Sequence, residues 1–124
     1  MRRLVLAAAL LGVTLAAAAP ARAQPVTLIN VFEVPAGALD EAIRYWEASR
    51  DVLVRQPGYV STQLHRAVGD SMMFLNYAVW ESVAHFRAAF THPEFRSALG
   101  AYPSSAVTRP HLFTRVAVPN LCTA

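Results

Sequence analysis

Hydrophobic residues alternate with polar residues along several short segments of this chain, and they recur at helical spacing in the segments between. Four segments rich in β-branched and aromatic residues, bounded by Pro, Gly or Asp, have the pattern of strands. In the others, apolar positions recur every three or four residues, as on an amphipathic helix. The predicted strands cover residues 26–34, 59–66, 72–80 and 111–118, and the predicted helices cover 38–55, 83–90 and about 91–99. This β-α-β-β-α-β order predicts a ferredoxin-like α+β fold, with helices on one face of a four-stranded antiparallel sheet.

The third predicted strand carries polar side chains on an apolar face. Asn76 and Trp80 lie four residues apart there, so their side chains point the same way. Phe74 and Ala78 share that face. Asn30 likewise shares a face with hydrophobic residues of the first strand, which neighbours the third in this fold. Because buried amides and indoles need hydrogen-bond partners, these groups are either satisfied polar groups of the core or the wall of a binding pocket.

Hydrophobic residues occupy both faces of the predicted sheet, although the helices cover only one of these faces. The opposite face of the third strand holds Met73, Leu75, Tyr77 and Val79. An apolar sheet face needs a cover, and a second copy of the same sheet is the simplest one. We therefore expect a homodimer with two-fold symmetry.

The first residues have the features of a secretory signal peptide. Arg2 and Arg3 begin it, Leu4 to Ala19 is uncharged and mostly apolar, and Ala21-Arg22-Ala23 is a small-x-small cleavage site. We expect cleavage before Gln24 and export to the periplasm or the medium, although an uncleaved anchor stays open. Residues 24–124 then form one domain, long enough to build a core without metal or disulfide staples.

Removal of this leader changes the charge of the protein. Three of the eleven Arg lie in it and Lys is absent, so eight Arg remain against eight acidic residues. A net charge of zero removes nucleic acid as a default partner, and also acidic membrane surfaces once the signal is cleaved. Cys122 is the only cysteine, so no internal disulfide can form, and pairing between chains stays open.

The sequence contains no strong catalytic, phosphate-binding or metal-binding motif. Its four histidines are scattered without metal-ligand spacing. His65, at the end of the second predicted strand, is the best candidate for a pocket rim and for a base. A few polar groups in an apolar pocket are typical of a small-molecule site, so Asn76 and Trp80 are candidate catalytic residues beside His65. The candidate substrate-binding residues are Asn30, Phe74, Phe86 and Phe90. A place in the core is the alternative for them, and Asn30 could instead face the dimer interface.

Four segments together resemble the antibiotic biosynthesis monooxygenase (ABM) family. They are Leu28–Phe32, Gln56–Tyr59, Asn76–Ser82 and His92–Phe95, and the resemblance spans about Val26 to Val116. It implies a dimeric α+β barrel. Because that fold hosts several chemistries, the segments are more specific for the fold than for an activity.

The resemblance to the quinol-type monooxygenases of this family is partial. Those enzymes line their substrate pocket with an Asn and a Trp four residues apart on the third strand, which Asn76 and Trp80 match. A Tyr in the following helix would fall at Phe86, and an Arg further along would fall near Gly100. Neither of those two groups is present, so the substrate handled here need not be the same.

The resemblance to haem-degrading members is weaker. In those proteins an early-strand Asn works with a Trp and a His, and Asn30 matches only the first of the three. Ala89 and Leu99 stand at the other two positions. Without an axial histidine for iron, the sequence argues against haem degradation.

The resemblance implies a reaction without flavin, haem or metal, in which a deprotonated quinol or phenol itself passes an electron to O2. The protein would exclude water, hold the ring and stabilise the oxyanion through the N–H groups of Asn76 and Trp80. We therefore predict a cofactor-independent monooxygenase acting on a small aromatic or quinol-type compound. A non-catalytic ligand-binding or stress-related dimer stays open, as does a different enzyme on this fold, such as an isomerase or a haem-handling protein.

Overall fold

The structure, a computed structural model, describes residues 24–100 and 107–124, so the predicted signal peptide lies outside the described residues. The strands are β1 (Val26–Glu33), β2 (Tyr59–Arg66), β3 (Met73–Trp80) and β4 (Val107–Phe113). The helices are α1 (Leu39–Leu53), α2 (Val83–Phe90) and α3 (Pro93–Gly100). The strands form an antiparallel four-stranded sheet, which confirms the predicted ferredoxin-like α+β fold.

The central strands of the sheet are β1 and β3, in the order β2-β3-β1-β4. In their register, Asn30 lies directly opposite Asn76, and Val26 lies opposite Trp80. The two amides therefore occupy adjacent strands on the same face, as the sequence predicted.

The last strand begins four residues earlier than predicted. β4 covers Val107–Phe113 rather than residues 111–118, and Pro110 pairs with Asn30 of β1. The prediction assigned the residues up to Pro110 to a loop, because that segment is rich in Ser, Pro and Ala. Proline also cannot donate a ladder hydrogen bond. β4 is an edge strand, where the missing donor can face away from the sheet. Beyond β4, Val118 and Cys122 close a short turn.

Two hydrophobic clusters lie on the helix-covered face of the sheet. The first contains Val26, Leu28, Ala78, Trp80 and Ala89, and the second contains Phe32, Val34, Ala42 and Phe74. Asn30 lies between the two clusters along β1, and Asn76 lies between them along β3. Amide groups need hydrogen-bond partners and cannot fill an apolar core as hydrocarbon does. The break between the two clusters is where the cavity described below lies.

A capped helix start fixes the position of α2 behind β3. The Ser82 hydroxyl accepts a hydrogen bond from the backbone N–H of His85 at 3.1 Å, and its oxygen lies 2.8 Å from His85 Nδ1. The His85 ring packs on Gly58, which has a φ of +84° and leaves no room for a β-carbon. The backbone N–H of Glu81 donates to the Gly58 carbonyl at 2.8 Å. These contacts tie the turn before β2 to the end of β3.

The face of the sheet that carries no helix remains partly exposed in one chain. Met73 and Tyr77 are 39% and 42% exposed, while Leu75 and Val79 are half-buried. The homodimer therefore stays a prediction. Across the described ranges, none of the helices combines the length and the apolar character needed to cross a membrane.

Candidate functional site

A cavity of about 200 Å³ lies between the sheet and the helices α1 and α3, at the break between the two hydrophobic clusters. The sheet contributes Leu28, Asn30, Tyr59, Thr62, Asn76, Ala78, Trp80, Thr108 and Pro110 to its wall. The helices contribute Trp46, Ser49, Arg50, Leu53, Phe90, Phe95 and Leu99. A dry apolar cavity of roughly 150 Å³ is known to bind benzene. The space here is enough for an aromatic ring with substituents.

The Asn76 amide is oriented by its neighbour on β2. Thr62 Oγ1 donates a hydrogen bond to Asn76 Oδ1 at 2.8 Å. Thr62 pairs with Ala78, so its side chain stands on the same face as Asn76. Because the amide oxygen is engaged, the N–H groups of Asn76 remain as donors toward the cavity.

Two buried polar atoms of the wall have no hydrogen-bond partner among the described residues. They are Asn30 Oδ1, an acceptor, and Trp80 Nε1, a donor. Leaving such a group unsatisfied costs about 1–3 kcal/mol, so a buried atom of this kind calls for an explanation. A ligand that accepts from Trp80 and donates to Asn30 would satisfy both.

Aromatic rings hold the Trp80 indole in place. Trp80 is only 1% exposed, and its ring meets Tyr59 edge-on with centroids 5.7 Å apart. Phe86 and Phe90 pack edge-on at 6.2 Å each. Phe90 continues to Phe95 at 4.4 Å. This geometry is favourable for aromatic pairs and leaves the indole little freedom to move.

Helix α1 supplies one side of the cavity with residues at helical spacing. Trp46, Ser49, Arg50 and Leu53 line it. Ser49 is buried, and its hydroxyl donates to the Tyr45 carbonyl at 2.9 Å, one turn back. Arg50 is the charged residue among the described lining residues.

Several of the residues predicted from the sequence come together in this cavity, and others do not. Asn30, Asn76, Trp80 and Phe90 line it. Phe86 packs behind Trp80 and Phe90 and forms part of the hydrophobic packing rather than the wall. Phe74 does not line this cavity, because its ring stacks on Phe32 in the second cluster, with centroids 5.5 Å apart.

His65 also lies outside the lining of this cavity. Simple alternation from Tyr59 would put His65 on the cavity face. A bulge between Tyr59 and Ser61 shifts the register, and such an extra residue reverses which side chains face the core. Thr62 therefore lies on the cavity face, while His65 pairs with Leu75 on the opposite face and is exposed. Its predicted role as a base therefore gains no support from the position of its side chain.

Sequence reasoning missed most of the wall contributed by α1, α3 and β2. Trp46 was not among the predicted site residues, and its spacing to Arg50 and Leu53 is the signal that could have grouped them on one helix face. Thr62 could have been found only with knowledge of the bulge. Leu99, at the position matched to a haem-ligand histidine, does line the cavity. In the part of the chain that the structure describes, His, Cys, Asp and Glu form no group of three that could hold a metal ion.

Comparison with known families places the chain in one of them. The family described as antibiotic biosynthesis monooxygenase matches residues 25–101, and the chain belongs to this family. A comparison with curated protein sequences finds no match.

Solved structures agree with this assignment. A protein from Shewanella loihica PV-4, provisionally assigned as a monooxygenase, is 42% identical, with a TM-score of 0.66 over 79% of this chain and 100% of its own. SnoaB, a cofactor-independent oxygenase from Streptomyces nogalater, is 30% identical, with a TM-score of 0.70 over 79% of this chain and 99% of its own. A protein from Bordetella bronchiseptica with 15% identity and a TM-score of 0.65, over 76% of this chain and 99% of its own, shares the fold.

Proposed function

We propose that this protein is a cofactor-independent monooxygenase that oxidises a small aromatic or quinol-type compound with O2 in the cavity beneath α1 and α3. The observation that carries the proposal is the pair of N–H donors, Asn76 and Trp80, in a mostly apolar cavity of about 200 Å³. The 30% identity to SnoaB, a cofactor-independent oxygenase, supports the same reading.

The reaction requires only that the protein supply a cavity that fits the ring and carries hydrogen-bond donors. A quinol loses a proton, its anion passes an electron to O2, and the radicals combine at a ring carbon. Loss of water then leaves a hydroxyquinone, so one quinol and one O2 become one hydroxyquinone and one H2O. The aromatic wall of Tyr59, Trp80 and Phe90 would orient the ring and exclude water. The N–H groups of Asn76 and Trp80 would stabilise the oxyanion.

The proton must leave without a histidine or carboxylate in the wall. None of the described lining residues is His, Asp or Glu, and His65 faces the other way. The proposal therefore requires a substrate acidic enough to ionise readily, which favours quinols and phenols over less acidic rings.

Oxygen uptake by the purified mature protein tests the proposal. Monocyclic and bicyclic quinols are supplied in turn, and the rate with heat-denatured protein is subtracted as autoxidation. We expect catalysed uptake that falls by about 10²–10³ in Asn76→Ala, the usual cost of one oxyanion donor. Gln63→Ala removes an amide from the opposite face, where Gln63 pairs with Tyr77, and should keep the full rate. Equal rates in all three proteins would contradict the proposal.

A non-catalytic ligand-binding protein is the second candidate. The absence of a Tyr at Phe86 and of an Arg at Gly100, together with a wall that lacks a base, favours it. In that case quinols bind, Asn76→Ala weakens binding, and no catalysed oxygen uptake appears with any of them.

We further propose export and a homodimer. The exposed apolar residues Met73 and Tyr77 support the dimer, and sedimentation at micromolar concentration should give twice the chain mass. Protein recovered from outside the cytoplasm should begin at Gln24. A monomer, or a product that retains Arg2 and Arg3, would contradict the respective proposal.

A further inference from the structure

The charge in the wall of the cavity is positive. Arg50 is the one charged side chain among the described residues of the wall. Its side chain is 44% exposed, which places it at the solvent side of the cavity. The exposed carboxylate of Glu94 is engaged elsewhere, 2.9 Å from Arg55.

The partner that Arg50 has in the structure is a weak one. Arg50 Nη1 lies 3.2 Å from Asp51 Oδ1, and the Asp51 side chain is 64% exposed. Adjacent residues on a helix do not face each other, and exposed ion pairs contribute about 0–1 kcal/mol. A ligand anion on the cavity side can therefore compete for the guanidinium.

The N–H donors also outnumber the unpaired amide oxygens in the wall of the cavity. Arg50, the Asn76 amide and Trp80 Nε1 offer N–H groups, while Asn30 Oδ1 is the buried acceptor left without a partner. A ligand complementary to this set carries more acceptors than donors. An anionic oxygen substituent together with one hydroxyl fits that description.

We propose that Arg50 makes the cavity selective for aromatic compounds that carry an anionic substituent, such as a ring carboxylate beside a hydroxyl. This inference deepens the proposed function, on which it rests for taking the cavity as the substrate site. Arg50 holds the anionic group at the mouth of the cavity, and the ring lies between the aromatic residues.

Calorimetric titration with salicylate and salicylamide tests the inference. The two probes have nearly the same shape and the same hydroxyl, and only salicylate is charged. We expect the wild-type protein to bind salicylate about fivefold more tightly than salicylamide, the upper end of the range for a partly exposed charged contact. Arg50→Gln should remove this preference by weakening salicylate alone, and Arg50→Lys should keep most of it. The preference should shrink as salt is added.

The matched control is Arg44→Gln, which removes the same charge from an exposed position of α1 outside the cavity. This variant should keep the wild-type preference. The inference is overturned if salicylate does not bind the wild type, if no preference exists, if Arg50→Gln retains it, or if Arg44→Gln loses it equally. The titration involves no turnover, so a protein that shows the preference but consumes no oxygen refutes only the proposed function.

Discussion

The hydrogen bond from Thr62 to Asn76 gives the sharpest prediction about the site. Thr62→Val replaces the donating hydroxyl with a methyl group and leaves the shape of the side chain almost unchanged. The bond is 2.8 Å long and partly buried. Without it, nothing among the described contacts of Asn76 holds its amide oxygen away from the cavity. The amide can then turn over and present oxygen where an oxyanion would form.

The size of the effect follows from the energy of one hydrogen bond. A bond of this kind contributes about 1 kcal/mol net, and for a domain of this length that energy corresponds to a fall in Tm of roughly 4–8 °C. Complete loss of an oxyanion donor costs about 10²–10³ in kcat. Because a misoriented amide is a partial loss, we expect Thr62→Val to lower kcat about tenfold and to leave KM nearly unchanged.

Oxygen uptake with a quinol substrate gives these constants. Thr62→Ser keeps the hydroxyl and should keep the rate. If Thr62 acts only through Asn76, Thr62→Val should add nothing further in an Asn76→Ala background. The reasoning is refuted if Thr62→Val keeps the wild-type kcat, if Thr62→Ser loses as much, or if the double variant shows additive losses.

Other parts of the structure give three further predictions. Gly58→Ala would overlap the His85 ring and strain a positive φ, so it should lower stability by about 2–4 kcal/mol in thermal unfolding. Gly69→Ala has a φ of +86° with nothing nearby and should cost only the backbone part, about 1–2 kcal/mol; equal losses would contradict the overlap. Trp80→Phe removes an N–H that has no hydrogen-bond partner among the described residues, so oxygen uptake should fall more than tenfold, as for loss of an oxyanion donor; an unchanged rate would exclude Trp80 as that donor. Tyr77→Glu puts a charge on the uncovered sheet face and should halve the sedimenting mass, whereas a persistent dimer would place the interface elsewhere.

The central part of the fold could be predicted because the strands there alternate without interruption. Along β1 and β3, counting alternate residues from Asn30 and Trp80 gives the correct face for every position up to Phe74. The alternation of faces along a strand does not show how far the cavity extends, however. Phe74 has the right face but lies in the second cluster, because α1 packs against it there.

The periphery could not be predicted because tertiary context overrides local signals there. Pro110 marks a loop by its chemistry, yet it is tolerated at an edge whose position depends on the whole sheet. The face on which His65 lies depends on a single bulge in β2, and no residue near Val60 signals that bulge in the sequence. Arg50 joins the site because α1 packs over the cavity, and which face of α1 reaches the cavity depends on packing across the whole sheet.

The fate of the oxygen atoms tests the central claim most directly. Isotopically labelled O2 is supplied with the quinol that gives the fastest uptake, and the product is analysed by mass spectrometry. A monooxygenase that uses the Asn76 and Trp80 donors gives a hydroxyquinone with one labelled oxygen atom, no hydrogen peroxide, and a rate that collapses in Asn76→Ala. An unlabelled quinone formed together with labelled hydrogen peroxide, or label incorporation that is equal in Asn76→Ala, would contradict the account.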